Sequence, residues 1–263
     1  MNQYIDIAVN LVGSALESNA EQVIADAVAV GVSPLILIGS ELDESARCIA
    51  ICQQYPTQLY TTAGVHPHHA SSWQSDSADR LREMCQGKVV VAVGECGLDF
   101  NRNYSTPAEQ RRAFAEQLAL AVELQRPVLM HERDAHLEFM AILSEFRAEL
   151  PAALLHCFTG DIAQAEAYLA LDLHLGVTGW VCDERRGQAL AEAVTVIPDD
   201  RLLLETDSPY LLPRNLKPKP KSSKNEPKYL PHIAHYVAHL RGQPVDVLAA
   251  HCYANSLKFF GLE

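Results

Sequence analysis

The sequence predicts an α/β protein with the TIM, or (β/α)8, barrel fold, and three observations agree on it. Short apolar, β-branched runs recur from one end of the chain to the other. Segments with helical spacing separate them, which argues for a parallel sheet covered by helices. Eight such runs fit between Tyr4 and Thr206, which suits a closed barrel better than an open doubly wound sheet. No G-x-G-x-x-G or Walker-type loop follows the first run, which weakens the dinucleotide-binding alternative. No internal repeat or linker interrupts the pattern, so one domain spanning residues 1–263 is expected.

Taken in order, the expected strands of the first half are Tyr4–Leu11, Leu35–Gly39, Tyr60–Val65 and Val89–Gly94. Those of the second half are Pro127–His131, Ala152–His156, His174–Thr178 and Arg201–Thr206. Helical spacing marks Glu21–Val30, Pro107–Leu124 and His136–Leu150. The second of these has a strong start: Thr106 as N-cap, Pro107 at the first helical position, and Glu109 and Gln110 close behind. After the eighth strand comes the one shift in composition. Pro213–Lys228 holds four prolines and six Lys or Arg against one Glu, and Pro218 and Pro220 should keep it extended. Two helical patterns, Leu230–Arg241 and Val245–Phe260, close the chain.

Composition narrows the function classes. No stretch reaches the roughly 18 unbroken apolar residues that span a membrane. The N-terminus has no basic residue ahead of its apolar part, so no signal peptide and a cytoplasmic location are expected. Seven cysteines make an odd set without a C-x-x-C, which fits reduced thiols better than a disulfide framework. The formal net charge of −12 means that a polyanionic substrate would need cations concentrated locally.

In this fold the chemistry sits at the C-terminal ends of strands. Ionisable residues fall there repeatedly: His66 and His68 after the third strand, Glu95 and Asp99 after the fourth, His131 to Asp134 after the fifth, His156 after the sixth, and Glu205 and Asp207 after the eighth. Any one of these histidines alone reads more readily as a satisfied polar residue at a loop start. One Glu, two or three His and one Asp converging there read as a metal-ligand set, because crowded carboxylates and imidazoles need a cation or protonation.

The motifs GVHPH, GECGLDF, His131-x-Arg133, LHCFTG, ETDSPYLLP and the NEP of Asn225–Pro227 together resemble the TatD-type deoxyribonucleases, a family of amidohydrolase-like barrels. The matches run in order over essentially the whole chain. The resemblance implies metal ligands at Glu95, His131, His156 and Asp207, with His66 beside the metal and touching the scissile phosphate. Arg133 would clamp phosphate with its planar fork. Asp207 would take the proton of the attacking water, Glu95 would anchor the metal, and His66 would stabilise phosphoryl charge. The implied activity is metal-dependent 3′-to-5′ trimming of single-stranded DNA, with RNA as a further substrate, in DNA repair or nucleic-acid turnover.

The sequence departs from the family at one place. Most members open with D-x-H-x-H, whereas this chain reads Asp6-Ile7-Ala8-Val9-Asn10. The loss marks a subtype and leaves a site richer in oxygen, which favours Mg²⁺, with Mn²⁺ or Zn²⁺ as alternatives. Arg214, Lys217 and Lys219 of the basic loop are expected to track the nucleic-acid backbone, and Trp180 to stack on a base. Phe100, Phe158 and Tyr210 are candidates for the same role, though each reads more readily as packing. Arg185 and Arg186 are either second-tier phosphate contacts or a solvated helix start. Cys96 and Cys157 read as packing, and His232, His235 and His239 as surface residues of an outer helix. A monomer is the default. The rival readings are a deacylase or amidase acting on aminoacyl-tRNA or a small ester or amide, and a non-catalytic adaptor that kept the barrel.

Overall fold

The computed structural model describes residues 2–262. Its first elements are β1 (Tyr4–Val9), α1 (Ala20–Ala29), β2 (Val32–Leu37), α2 (Leu42–Cys52), β3 (Leu59–Ala63), α3 (Ser77–Met84), β4 (Val90–Asp99) and α4 (Pro107–Leu124). There follow β5 (Val128–Arg133), α5 (His136–Phe146), β6 (Ala153–Leu155), α6 (Ile162–Ala170), β7 (His174–Val177), α7 (Gln188–Ala193), β8 (Leu202–Leu204), α8 (Leu230–Arg241) and α9 (Val245–Phe260). Strand order is chain order, β1 to β8, and each described register is parallel. Every strand is followed by a helix, the alternation the sequence predicts.

The described residues pack as two compact units. One comprises Ile38–His156 with Leu171–Leu173, and so holds β3 to β6 and α2 to α5. Of its strands, β4 and β6 are buried along their whole length, as expected of parallel strands covered on both faces. Phe114 of α4 stacks on Phe139 of α5 with ring centroids 5.2 Å apart. The start of α4 is a full capping box: Thr106 accepts from the Glu109 backbone, and the Glu109 carboxylate accepts from the Thr106 N–H at 2.7 Å. The other unit takes the residues up to Leu37, Cys157–Ala170 and those from His174 onward. There β1 pairs with β2 and β7 with β8, and a parallel bridge joins Val9 to Ser208. Leu248, Cys252, Phe259 and Phe260 of α9 are buried.

Element boundaries differ from the expectation in ways that have physical causes. β2 starts three residues earlier, at Val32, and ends at Leu37. β4 does not stop at Gly94 but runs on to Asp99. Gly94 and Gly97 have φ of +133° and +140°, and a Cβ on them would lie 2.1 Å from the Leu129 carbonyl oxygen and 1.9 Å from that of His131. The glycines therefore mark a close approach of β4 to the β5 backbone, not a strand end. β5 likewise continues past His131 to Arg133, paired with Asp99. α5 ends at Phe146, short of the expected Leu150. Among the described residues, no helix is long and apolar enough to cross a membrane.

Candidate active site

In the unit built on β3 to β6, the end of β3 is fixed first. The buried Gln117 side chain of α4 accepts from the Val65 N–H at 2.8 Å and donates to the Val65 carbonyl at 3.0 Å. His66 follows, and its Nδ1 accepts the backbone N–H of His68 at 3.0 Å. Burial pushes the His66 pKa down to about 3, so the ring is neutral. A neutral imidazole whose Nδ1 accepts a hydrogen bond carries its proton on Nε2. That N–H is turned toward Glu95, 3.5 Å from Oε1.

Glu95 is the hub. Its backbone N–H is held by the Gly39 carbonyl at 3.0 Å. Its Oε1 lies 2.6 Å from His156 Nε2 and 3.4 Å from His131 Nδ1. Burial works to raise its pKa, but the imidazoles of His66, His156 and His131 outweigh burial and hold it below the ordinary carboxylate range. Among the described residues no Lys or Arg pairs with it. One ligand atom from each of His66, Glu95 and His131 lies within 4.8 Å of the other two. A buried anionic oxygen ringed by imidazoles is a donor set that fits a divalent cation.

A second carboxylate, which the sequence reading placed at the strand end without a role, backs this cluster. Asp99 is on the same face of β4 as Glu95 and is buried. Its Oδ2 lies 2.7 Å from His68 Nε2 and 3.5 Å from His131 Nε2. Burial alone would raise its pKa; the His131 ring, the Arg102 N–H and the His68 ring more than offset this and lower it. Alternation along β4 was the signal for Asp99: Glu95, Gly97 and Asp99 share one face. Arg133, two residues past His131 on β5, is exposed and forms no ion pair among the described residues.

The other unit holds Asp207, with φ +52°. Its Oδ1 accepts from Asn10 Nδ2 at 2.8 Å, and its N–H donates to the Ala8 carbonyl at 3.0 Å. Beneath it, Asp6 is fully buried and accepts from the Thr206 N–H at 2.9 Å, with the Thr206 hydroxyl at 2.5 Å. Burial, the largest influence, pushes the Asp6 pKa up to about 8 against these hydrogen bonds.

In this same unit Trp180, Arg214 and Lys219 line an open cleft of about 360 Å³ together with Asp183, Arg186 and Leu211. Two cations of the basic segment already have carboxylate partners. Arg214 is not a free cation, since it pairs with Glu184 at 3.2 Å and Asp183 at 3.5 Å. Lys228, counted with the basic loop, is held by Asp26 and Glu226. Lys217, Lys219, Lys221 and Lys224 are exposed and form no ion pair among the described residues. One face of Trp180 carries the Arg186 guanidinium, 4.4 Å from the ring centroid, and that guanidinium is anchored on buried Asp183. Phe158 is buried, whereas Tyr210 is exposed. Cys96 is buried and Cys157 half-buried. His235 and His239 are exposed; His232 is half-buried against Asn215 at 2.7 Å.

Comparison with known proteins bears on the family and the fold. The family model described as TatD related DNase matches residues 5–261. A protein of Pectobacterium parmentieri named 3′-5′ ssDNA/RNA exonuclease TatD is 50% identical over 257 residues, covering 98% of this chain and 99% of its own. The crystal structure of YJJV, a TatD homologue from Escherichia coli K12, superposes with a TM-score of 0.88 at 26% identity, over 99% of this chain and 98% of the other. An uncharacterised amidohydrolase from Saccharomyces cerevisiae shares the fold, with a TM-score of 0.85 at 20% identity over 99% and 100% of the two chains. The fold class is the (β/α)8 barrel, and the chain belongs to the family of TatD-related DNases.

Proposed function

We propose that this protein is a divalent-metal-dependent 3′-to-5′ exonuclease acting on single-stranded DNA and RNA, working as one domain over residues 1–263. The observation that carries the reading is the buried Glu95 carboxylate with three imidazole nitrogens turned to one of its oxygens. The relatives' name supplies substrate and direction. Mg²⁺ is the proposed cation, with Mn²⁺ or Zn²⁺ as alternatives. Glu95, His131, His156 and Asp207 would hold it. When bound, it supplies Lewis acidity toward phosphoryl oxygen and lowers the pKa of water.

The chain's own residues divide the remaining work. Asp207 accepts the proton of the attacking water. His66 presents its Nε2 proton to phosphoryl oxygen; it is a donor and not a ligand, because its Nδ1 is already engaged by the His68 N–H. Arg133, exposed and without a carboxylate partner, receives the phosphate of the bound strand. Lys217 and Lys219 steer the backbone, Arg214 adds to them once drawn from its carboxylates, and the open face of Trp180 receives a base. A cytoplasmic monomer serving repair or turnover of nucleic acid completes the reading.

The test is a time course on 5′-labelled single-stranded DNA with Mg²⁺, with chelator and Asp207→Asn as controls. Asparagine tolerates the left-handed backbone at this position, so the variant should fold and lose at least about 100-fold in turnover. A ladder shortening from the 3′ end, lost in both controls, is expected. No cleavage by folded, metal-loaded protein would overturn the reading in favour of ester or amide hydrolysis, with aminoacyl-tRNA the next substrate.

A further inference from the structure

We propose that Asp99 is a positioning residue for His131, selecting the imidazole tautomer that leaves the Glu95-facing nitrogen able to bind a cation. The proposal rests on the reading of His131 as a metal ligand, and its test needs no nuclease activity.

The two edges of the His131 ring face different carboxylates: Nδ1 is 3.4 Å from Glu95, and Nε2 is 3.5 Å from Asp99. A neutral imidazole has one proton to place. On Nε2, a buried atom with no hydrogen-bond partner among the described residues, it lies on the Asp99 side and leaves the Nδ1 lone pair toward Glu95 and a cation. On Nδ1 it points at Glu95 and closes that lone pair. A carboxylate behind the ring biases the first arrangement, as outer carboxylates do for metal-binding histidines.

Asp99 is built to hold this place. Gln110 of α4 fixes its backbone from both sides, accepting from its N–H at 2.8 Å and donating to its carbonyl at 3.1 Å. Its two carboxylate oxygens have separate tasks. Oδ1 accepts the backbone N–H of Asn101 at 2.9 Å and of Arg102 at 3.0 Å, which closes the turn after β4. Among the described residues Oδ2 faces the rings, His68 at 2.7 Å and His131 at 3.5 Å. His68 in turn packs edge-on against His66 with centroids 4.3 Å apart, so one oxygen steadies two rings beside Glu95.

This division separates a turn-closing role from a positioning role. Asp99→Asn keeps an oxygen for the two turn N–H groups and replaces Oδ2 with a donor. If Asp99 only closes the turn, the variant behaves as wild type. If it positions His131, metal-free Asp99→Asn keeps its melting temperature but binds Mn²⁺ about 10- to 100-fold more weakly by calorimetry, and ¹⁵N NMR shows the His131 proton moved toward Nδ1. Unchanged Mn²⁺ affinity with an unchanged tautomer would overturn the proposal. So would a metal-free wild-type protein whose His131 carries its proton on Nδ1, a readout that does not depend on any variant folding. Failure of the wild type to bind Mn²⁺ at all would sink the metal reading instead, while the tautomer would still decide the role of Asp99.

Discussion

Asp207 is held by two residues at the end of the first strand: the Asn10 side chain donates to its Oδ1 at 2.8 Å, and the Ala8 carbonyl accepts its backbone N–H at 3.0 Å. The Asn10 amide thus supports the carboxylate itself, whereas the Ala8 carbonyl holds only the backbone. Asn10 donates through Nδ2 and still has its side-chain oxygen to offer.

Asn10→Ala should therefore act through Asp207. Loss of one donor to the carboxylate proposed as a ligand is expected to lower kcat/KM about 10-fold, and the half-buried position should leave the melting temperature within a few degrees. Steady-state kinetics beside a thermal melt checks both. Full activity in the alanine variant would show that Asp207 needs no help from Asn10.

The exposed lysines of the loop after β8 should account for a measurable share of the salt dependence. Replacing Lys217, Lys219 and Lys221 together by Gln removes three cations. At a slope of about 0.7 per phosphate contact for single strands, log K against log salt should flatten by about 2. Fluorescence anisotropy on a labelled oligonucleotide across a salt series measures this, and an unaltered slope would take the loop out of substrate binding.

Asp6 should leave a mark on stability against pH. Its folded pKa is raised to about 8, above an unfolded value of about 3.9. Between these values unfolding releases a proton, so Asp6 makes stability fall with rising pH by about 1.4 kcal/mol per unit, levelling above its folded pKa. Protonated Asp6 can donate to the Thr206 hydroxyl, which then donates to Ser208 Oγ at 2.9 Å. Asp6→Asn mimics the protonated acid. In chelator-treated protein, the stability difference between variant and wild type should therefore grow from pH 5 to pH 8. A difference independent of pH would contradict the burial argument.

Strand and helix alternation, the helix start at Thr106 and the recurrence of ionisable residues at strand ends were legible in the sequence, because each is a local pattern along the chain. The extent of β4 was not. Glycine reads as a strand breaker, and only the neighbouring backbone explains why Gly94 and Gly97 stand inside a strand. The charge state of the basic loop was also hidden: Arg214 meets Glu184 thirty residues earlier, and Lys228 meets Asp26 across 202 residues. A count of cations along a segment takes no account of distant carboxylates folded against it.

The two glycines around Glu95 also limit how this enzyme can change. Any side chain at 94 or 97 would drive an atom into the β5 backbone, so the residues bracketing the key carboxylate cannot be exchanged to slide it along the strand. Selection for a new substrate or a different cation would find the centre of the site frozen. The routes left open run through loops, such as the lysine-bearing segment after β8, where side chains can be swapped without disturbing a strand. New specificities in this lineage should therefore arise at the periphery first, with the Glu95 carboxylate inherited unmoved.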